Sequence, residues 1–196
     1  MNSEERDFHA AAHAETRSDS IRKAIRKCKK LEIEFLALDF DQTILEIHTG
    51  GHWKGTAHEL LPHVRPMFRE LIPAALDEGI HVAVVTFSTQ IDTIRYILDQ
   101  ITDHRGAEIP IRGGFGGNKT FNYEGNGSVA GKQAHMASAV EELEARNMGL
   151  RLKRASTLLI DDDKANIRHA LENGVRAIWL DPDNSSQVLK DMRRLV

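Results

Sequence analysis

Short apolar runs alternate with amphipathic stretches over most of the chain. The apolar runs predict five buried strands, at residues 33–39, 80–85, 109–111, 158–160 and 175–180. The amphipathic stretches predict helices at residues 66–77, 90–101, 131–146, 164–172 and 185–195. Continuous apolar strands that alternate with helices are typical of a parallel sheet covered on both faces. The pattern therefore predicts an α/β fold with a Rossmann-like parallel sheet over residues 31–196.

The first 30 residues are patterned differently. Residues 1–18 show little periodicity, so we expect a mobile arm or a loosely held helix there. Residues 20–30 place apolar side chains at helical spacing and basic side chains on the opposite face, which predicts a basic amphipathic helix. That face could hold phosphate or acidic lipid, but a solvated helix face is the more common reason for such a pattern. His9 and His13 have helical i, i+4 spacing, and without further ligands we interpret this as chance.

Composition excludes several classes of protein. The 196 residues are 41% hydrophobic and 28% charged with a formal net charge of -3, so the overall charge does not indicate a nucleic acid or an anionic membrane as partner. Cys28 is the one cysteine, which excludes a disulfide within the chain and suits a reducing compartment. No apolar run approaches the length of a membrane span, and the acidic N-terminus argues against a signal peptide. We therefore expect a cytoplasmic protein without a membrane span.

Acidic and hydroxyl side chains follow several of the predicted strands. They are Asp39 and Asp41, Thr86 and Ser88, Asp161 to Asp163, and Asp181. Because the carboxyl ends of parallel strands meet at one edge of a sheet, we expect these side chains to converge. Any one Asp could instead cap a helix, as Asp162 or Asp163 could for the helix near Lys164, and we expect Asp163 either to be such a cap or to contact the metal ligands without binding the metal itself. Several carboxylates at one place would repel each other without a compensating charge.

A divalent cation is the simplest compensation for this acidic cluster. Carboxylate and carbonyl oxygens are the ligands of hard cations, and no cysteine and histidine set suited to zinc follows these strands. Magnesium usually binds together with substrate phosphate. We therefore expect a Mg2+ site formed by Asp39, Asp41, Asp161 and Asp162 together with a backbone carbonyl, and phosphoryl chemistry at that site.

Four motifs resemble, in order, those of the haloacid dehalogenase-like (HAD) superfamily, most of whose members are magnesium-dependent phosphatases. The first is an apolar strand followed by Asp39-Phe40-Asp41-Gln42-Thr43, and the second is AVVTFS, which contains Thr86. The third is Lys132 in AGKQAHM, and the fourth is LLIDDDKANI with its acid pair Asp161 and Asp162. The resemblance covers about residues 33–182 and implies that the α/β domain is catalytic.

The resemblance implies a role for each matching residue. Asp39 resembles the nucleophile that forms an aspartyl-phosphate, and Asp41 resembles the general acid/base. Thr86 would donate a hydrogen bond to a phosphoryl oxygen, and Lys132 would neutralise charge on the nucleophile and the transferring group. Lys119, in a glycine-rich stretch, is the alternative motif lysine. The implied activity is magnesium-dependent hydrolysis of a phosphomonoester.

The superfamily sets substrate choice largely by cap domains, and this sequence has no room for a large one. Residues 44–65 could form a flap hairpin with a turn at residues 49–51, and the second insertion point holds the loop GGNKTFNYEGNGSVAG. An open site suits a phosphate on a phosphoprotein or a nucleic acid end, with a small metabolite as the alternative. We expect Ser88 and, in the flap, Trp53 to bind substrate, and His52 is a candidate for contacting its phosphate. The alternative is that Trp53 packs the hairpin and His52 is simply exposed.

Other functions remain open at the level of sequence. A HAD-fold binding or regulatory module would keep the fold without turnover, and a phosphotransferase would pass the phosphoryl group to another acceptor. No motif residue is missing, which favours an enzyme. A receiver domain would place its acid pair after the first strand and its lysine after the fifth. Here Lys132 precedes the Asp triplet that follows the fourth strand, which disfavours a receiver.

Overall fold

The computed structural model describes the backbone of residues 3–196 and the side chains of residues 17–196. The strands are β1 (Phe35–Leu38), β2 (His81–Val85), β3 (Ile111–Arg112), β4 (Thr157–Asp161) and β5 (Arg176–Trp179). They form one sheet in the order β3-β2-β1-β4-β5, and each pair of neighbours is parallel. The predicted α/β class and parallel sheet are therefore confirmed.

Helices cover both faces of this sheet. They are α1 (Ser3–Lys30), α2 (Pro66–Asp77), α3 (Ile91–Ile101), α4 (Gln133–Arg146), α5 (Lys164–Glu172) and α6 (Gln187–Arg194). Local signals fix several ends. Pro66 opens α2, where its missing N–H costs nothing, and Gly79 follows that helix at a φ of 72° that side chains disfavour. The five helices predicted beyond residue 31 all form, each within two residues of the expected bounds.

The two faces of the sheet pack against different helices. Alternation along β1 sends Leu36 and Leu38 to one face and Phe35 and Ala37 to the other. The first face packs against α1, α2, α3 and α6, and the second against α4 and α5. Because both layers are buried and apolar, they hold the sheet rigidly, and the positions of the residues that follow β1 and β4 are therefore well defined.

The N-terminal helix packs onto the domain. Its buried side chains are Ile21, Ala24, Ile25 and Cys28, which belong to the first of these apolar layers and lie where α1 contacts α2 and α6. The structure thus gives the apolar face of the predicted amphipathic helix a partner within the chain. The backbone is helical from Ser3, through residues predicted to be an arm or a loosely held helix. The side chains of His9 and His13 lie outside the described residues.

Two predicted elements differ from the structure. The third strand lies at Ile111–Arg112, later than the predicted residues 109–111, and pairs with Val84 and Val85. The segment 44–65 does not form a two-stranded flap hairpin. A single antiparallel bridge joins Leu45 to Val64, and a short 3-10 helix, Ala57–His63, fills the space between them. The predicted flap hairpin is therefore wrong in form.

The predicted turn at residues 49–51 is present, with φ values of 72° at Gly50 and 78° at Gly51. Residues 44–65 and 113–131, both within the described range, contain only this turn, the bridge and short 3-10 segments, so neither forms a large cap. Over the described part of the chain, no helix has the length and apolar character needed to cross a bilayer.

Candidate active site

A cleft of about 470 Å³ lies at the carboxyl ends of β1, β2 and β4. It is lined by Asp39, Asp41, Gln42, His48, Gly50, Gly51, Thr86, Phe87, Ser88, Lys132, Asp161, Asp162, Asp163 and Asn166. The four motifs therefore meet at one place, as expected for the ends of parallel strands. A larger groove of about 860 Å³ lies at the opposite end of the sheet, and its lining contains none of the motif residues.

Asp39 and Lys132 form a buried ion pair at the base of the cleft. The Asp39 backbone N–H donates to the Ile160 carbonyl at 3.0 Å, which continues the pairing of β1 with β4 by one residue. Lys132 Nζ donates to Asp39 Oδ1 at 2.7 Å, and the two residues are 1% and 6% exposed. Burial raises the pKa of Asp39, whereas the Lys132 ammonium lowers it and Asp161 raises it further. The contact favours Lys132 over Lys119 as the motif lysine, because Lys119 lies over the ring of Phe121.

The ring of Phe87 contacts the Lys132 ammonium, and the neighbouring ring of His135 holds the loop after β3. Lys132 Nζ lies 3.8 Å from the ring centre of Phe87, a cation–π contact that keeps the charge in place. Phe87 in turn meets His135 edge to face at 5.5 Å. His135 Nε2 lies 2.8 Å from the Gly114 carbonyl, to which it donates as a neutral ring, since burial lowers the pKa of His135 to about 4. This bond ties the loop after β3 to the first turn of α4.

The three consecutive acids after Leu159 and Ile160 have three different surroundings. Asp161 is fully buried, and the Asn166 amide donates to both of its carboxylate oxygens at 3.0 Å. Asp162 Oδ1 accepts from the Thr43 hydroxyl at 3.1 Å, and the Asp162 N–H donates back to that hydroxyl. Burial raises the pKa of both Asp161 and Asp162. Asp163 instead caps α5 by accepting from the Ala165 N–H at 2.7 Å, so its predicted capping role is confirmed.

Asp41 lies on a tight turn over residues 40–44 that follows β1. Gln42 adopts a φ of 56° in this turn, and the buried Arg65 donates to the carbonyls of Gln42 and Thr43 at 3.1 Å. The Asp41 carboxylate accepts from the Thr49 N–H at 3.1 Å and from the Thr49 hydroxyl at 2.8 Å. Arg65 therefore holds the backbone of the turn, and Thr49 holds its acid.

Thr86 and Ser88 border the cleft after β2 and are both buried. The Ser88 N–H donates to Thr86 Oγ1 at 3.1 Å, which leaves the Thr86 hydroxyl hydrogen to be donated into the cleft. The Ser88 hydroxyl donates to the Gly51 carbonyl at 3.3 Å. This bond joins the strand end to the turn at residues 49–51.

The structure does not bring the two predicted flap residues into the cleft lining. Trp53 packs against the apolar layer that contains α1, and its indole N–H donates to the Thr56 carbonyl at 3.1 Å. These contacts favour the interpretation in which Trp53 packs its own segment. His52 is exposed. Within this segment, His48 and the two glycines of the turn line the cleft instead.

The sequence does not predict a role for several residues that hold the site together. They are Thr49, Arg65, Phe87, Gln90 and His135. Each acts through a partner that is distant in sequence or through an aromatic ring, and neither kind of contact leaves a periodic pattern. An arginine just before the Pro66 helix start gives no sign that it is buried.

The donor set of the cleft fits a hard divalent cation. Among the residues that the structure describes, no three carboxylate, imidazole or thiol groups stand close enough together to enclose a metal ion by themselves. Magnesium does not need such a cage, because it commonly keeps several waters and takes one or two carboxylates. Asp39, Asp161 and Asp162 face a single ammonium in the cleft lining, that of Lys132. A cation held by these acids would balance the remaining charge.

Comparisons with known proteins give structural neighbours only. No protein-family model matches the chain, and no curated protein matches it. An uncharacterized protein from Corynebacterium glutamicum is 16% identical with a TM-score of 0.46, over 84% of this chain and 97% of that one. A phosphoserine phosphohydrolase-like protein from Francisella tularensis is 10% identical with a TM-score of 0.44, over 80% and 92%. The HAD domain of effector protein Lem4 from Legionella pneumophila is 13% identical with a TM-score of 0.40, over 81% and 93%. At these identities and TM-scores, the neighbours assign no function to this chain.

Proposed function

We propose that the protein is a magnesium-dependent phosphatase of the HAD type, which hydrolyses phosphomonoesters through an aspartyl-phosphate on Asp39. The observation that carries this proposal is the buried Asp39–Lys132 pair, set in a cleft that also contains Thr86, Asp161 and Asp162. A carboxylate that is held by an ammonium and surrounded by oxygen ligands is suited to attack phosphorus. The same residues match the four motifs quoted above.

In the first step, an Asp39 carboxylate oxygen forms a bond to phosphorus as the bond from phosphorus to the leaving oxygen breaks. Lys132 donates to Oδ1, so Oδ2 is the oxygen that remains for attack. The electron pair of the broken bond passes to the leaving oxygen, which takes a proton from Asp41. The Thr86 hydroxyl and the Lys132 ammonium stabilise charge on the phosphoryl oxygens.

In the second step, a water attacks phosphorus, and the bond from phosphorus to Asp39 breaks. Asp41, now a carboxylate, takes the proton of that water and returns to its starting state. One or two of the carboxylates of Asp39, Asp161 and Asp162, together with a backbone carbonyl of the Asp41 turn and several waters, would hold Mg2+. When bound, the ion would supply charge neutralisation for the carboxylates and the phosphoryl oxygens.

The open cleft suits a phosphate that projects from a large or exposed substrate, such as a phosphoprotein or a nucleic acid end. Residues 44–65 border the cleft through His48, Gly50 and Gly51, and neither this segment nor residues 113–131 provides a domain to enclose a small molecule. A small metabolite would need these loops, or a second subunit, to close the site.

The test is magnesium-dependent hydrolysis of a generic aryl phosphate by the wild type, Asp39→Asn and Asp163→Asn. We expect Asp39→Asn to lose activity while its melting temperature stays close to that of the wild type. Asp163→Asn is the matched control, since Asn also caps helices. Intact-mass measurement after acid quenching should detect a phosphoryl adduct in the wild type and in Asp163→Asn but not in Asp39→Asn. Near-normal hydrolysis by folded Asp39→Asn would exclude the covalent mechanism.

The same assay separates the alternative functions. A wild type that binds aryl phosphate without turnover would be a HAD-fold binding module. A phosphotransferase would, with an added alcohol, release more phenol than inorganic phosphate. The proposed phosphatase releases the two products in equal amounts with or without the alcohol.

A further inference from the structure

The carboxyl of Asp41 lies at the end of a chain of hydrogen bonds that runs outside the four motifs. The Trp53 backbone N–H donates to Gln90 Oε1 at 2.9 Å, and Gln90 Nε2 donates to Thr49 Oγ1 at 2.5 Å. The Thr49 hydroxyl then donates to Asp41 Oδ1 at 2.8 Å. These hydrogen bonds join the segment after β1 to Gln90, the residue that precedes α3.

The Trp53 backbone N–H fixes the direction of every hydrogen bond in this series. A backbone N–H can only donate, so the atom of the Gln90 amide that faces Trp53 is its oxygen. The amide nitrogen therefore faces Thr49, and the Thr49 oxygen accepts from it. Because a hydroxyl has a single hydrogen, that hydrogen is left for Asp41. Gln90 thus makes Thr49 a donor towards the acid.

The neighbouring histidine does not compete for this role. His48 Nδ1 lies 3.9 Å from Asp41 Oδ2, but it accepts from the Gly50 N–H at 2.8 Å. A ring nitrogen that accepts this bond carries no hydrogen to donate to Asp41. Thr49 is therefore the side chain that orients the carboxyl, and it is buried at 8% exposure.

The two oxygens of the Asp41 carboxyl are held differently. Oδ1 accepts both the Thr49 N–H, at 3.1 Å, and the shorter of the two hydroxyl contacts. Oδ2 lies 3.0 Å from the same hydroxyl, whose single hydrogen is donated to the closer Oδ1. A proton on Oδ1 would face an N–H that can only donate, so Oδ2 is the oxygen suited to carry the exchangeable proton.

We propose that Thr49 and Gln90 are positioning residues, which orient Asp41 so that its Oδ2 delivers a proton to the leaving group. Thr49 acts directly and Gln90 acts through Thr49. The inference rests on the proposed phosphatase function, in which Asp41 protonates the leaving oxygen as the bond from phosphorus to that oxygen breaks. Small displacements of a proton donor are costly in catalysis, which is why a held carboxyl matters.

The experiment measures kcat/KM for dinitrophenyl, phenyl and alkyl phosphates with magnesium present, because kcat/KM reports the step in which the leaving group departs. Dinitrophenolate departs without a proton, whereas an alkoxide needs one. Thr49→Val removes the hydroxyl and keeps the shape and the backbone N–H. We expect about a 10- to 100-fold loss on phenyl and alkyl phosphates and less than about a threefold loss on dinitrophenyl phosphate. Gln90→Met should act in the same direction with a smaller loss.

Two further variants separate positioning from structure. Thr49→Ser restores the donor and should restore most of the rate on alkyl phosphate. Thr102→Val is the matched control, since Thr102 is also buried and its hydroxyl donates to the Leu98 carbonyl at 2.6 Å, at the end of α3. It should leave the dependence on the leaving group unchanged.

The outcomes also separate the two proposals. Equal losses on all three substrates in folded Thr49→Val, a gain in rate, or failure of Thr49→Ser to restore it would overturn the positioning role alone. The phosphatase would survive those results provided that Asp39→Asn is inactive. A wild type that hydrolyses none of the substrates, or an active Asp39→Asn, would overturn both.

Discussion

Replacing Lys132 by Met removes the ammonium that donates to Asp39 and leaves a carboxylate in a nearly closed site. Lys132 and Asp39 are 1% and 6% exposed, so water cannot readily take the place of the lost charge. Breaking a buried pair from one side typically costs about 3–5 kcal/mol of unfolding free energy. Methionine keeps most of the volume of the lysine stem, so little of this cost is due to a cavity.

Protonation of Asp39 sets an upper limit to that cost. Taking a carboxyl of ordinary pKa to its neutral form costs about 4 kcal/mol at pH 7 and about 1.5 kcal/mol at pH 5. Burial already raises the pKa of Asp39, so the real cost lies below these limits. We therefore expect Lys132→Met to lose about 2–4 kcal/mol at pH 7 and clearly less at pH 5.

The assay is urea unfolding in the presence of a chelator, for the wild type, Lys132→Met, Asp39→Asn and the double variant. The double variant buries no charge, so it should recover much of the stability lost in Lys132→Met. It should not recover activity, which we expect to be about 100- to 1000-fold lower in Lys132→Met. Lys119→Met is the control and should be close to neutral, since Lys119 lies over Phe121 and not against an acid.

Two results would refute this reasoning. One is a double variant no more stable than Lys132→Met, because the cost would then not arise from an unpaired charge. The other is an equal cost at pH 5 and pH 7, because protonation of Asp39 would then not relieve it.

Three other perturbations test the rest of the site. Asp161→Ala should raise the magnesium concentration needed for half-maximal activity by about 10-fold or more. Asp163→Ala should leave that concentration unchanged and cost about 1 kcal/mol of unfolding free energy, because the helix cap is lost. Equal effects of the two variants on the magnesium concentration would mean that Asp161 is not the metal ligand of this acid triplet. Trp53→Ala should lower the melting temperature and leave KM unchanged, and a raised KM in a stable variant would instead support the substrate-binding role predicted from sequence. Since the folded state keeps His135 neutral down to about pH 4, the unfolded state binds more protons between about pH 6.5 and 4, so stability falls as the pH is lowered through that window. Between pH 7 and pH 4.5 the wild type should lose about 2.5 kcal/mol more unfolding free energy than His135→Gln. Urea unfolding of both proteins at the two pH values measures this, and equal losses would refute the prediction.

The elements that could be predicted from sequence are those whose signal lies within the element itself. The apolar stripe of residues 90–101 predicts α3, and Pro66 with Gly79 marks the ends of α2. The third strand was misplaced because it lies at the sheet edge and its register depends on Val84 and Val85 of β2. The predicted flap hairpin is wrong for a related reason. Its two ends meet only at the Leu45–Val64 bridge, and a 3-10 helix uses the residues between them.

The same distinction applies to the site. Strand ends and their acids are local features, so the convergence of Asp39, Thr86 and Asp161 follows once the sheet is known to be parallel. The contacts that orient these groups are not local. Thr49 and Gln90 are 41 residues apart, and Arg65 reaches the turn 22 residues before it. Hydrogen bonds of this kind depend on the fold as a whole, and residue spacing in the sequence does not predict them.

The two carboxyls of the Asp39-Phe40-Asp41 sequence can lie close together because their surroundings differ. Burial raises the pKa of Asp39, and the Lys132 ammonium that donates to this carboxylate opposes the rise and favours its ionised form. The hydrogen bonds to Asp41 come from the neutral N–H and hydroxyl of Thr49, which orient the acid without adding a positive charge. Under the proposed function, a nucleophile has to stay ionised, whereas an acid/base has to exchange a proton in every cycle. A lysine in place of Thr49 would hold Asp41 ionised and remove the proton that the leaving group needs, so a polar but uncharged partner is the one that suits this position.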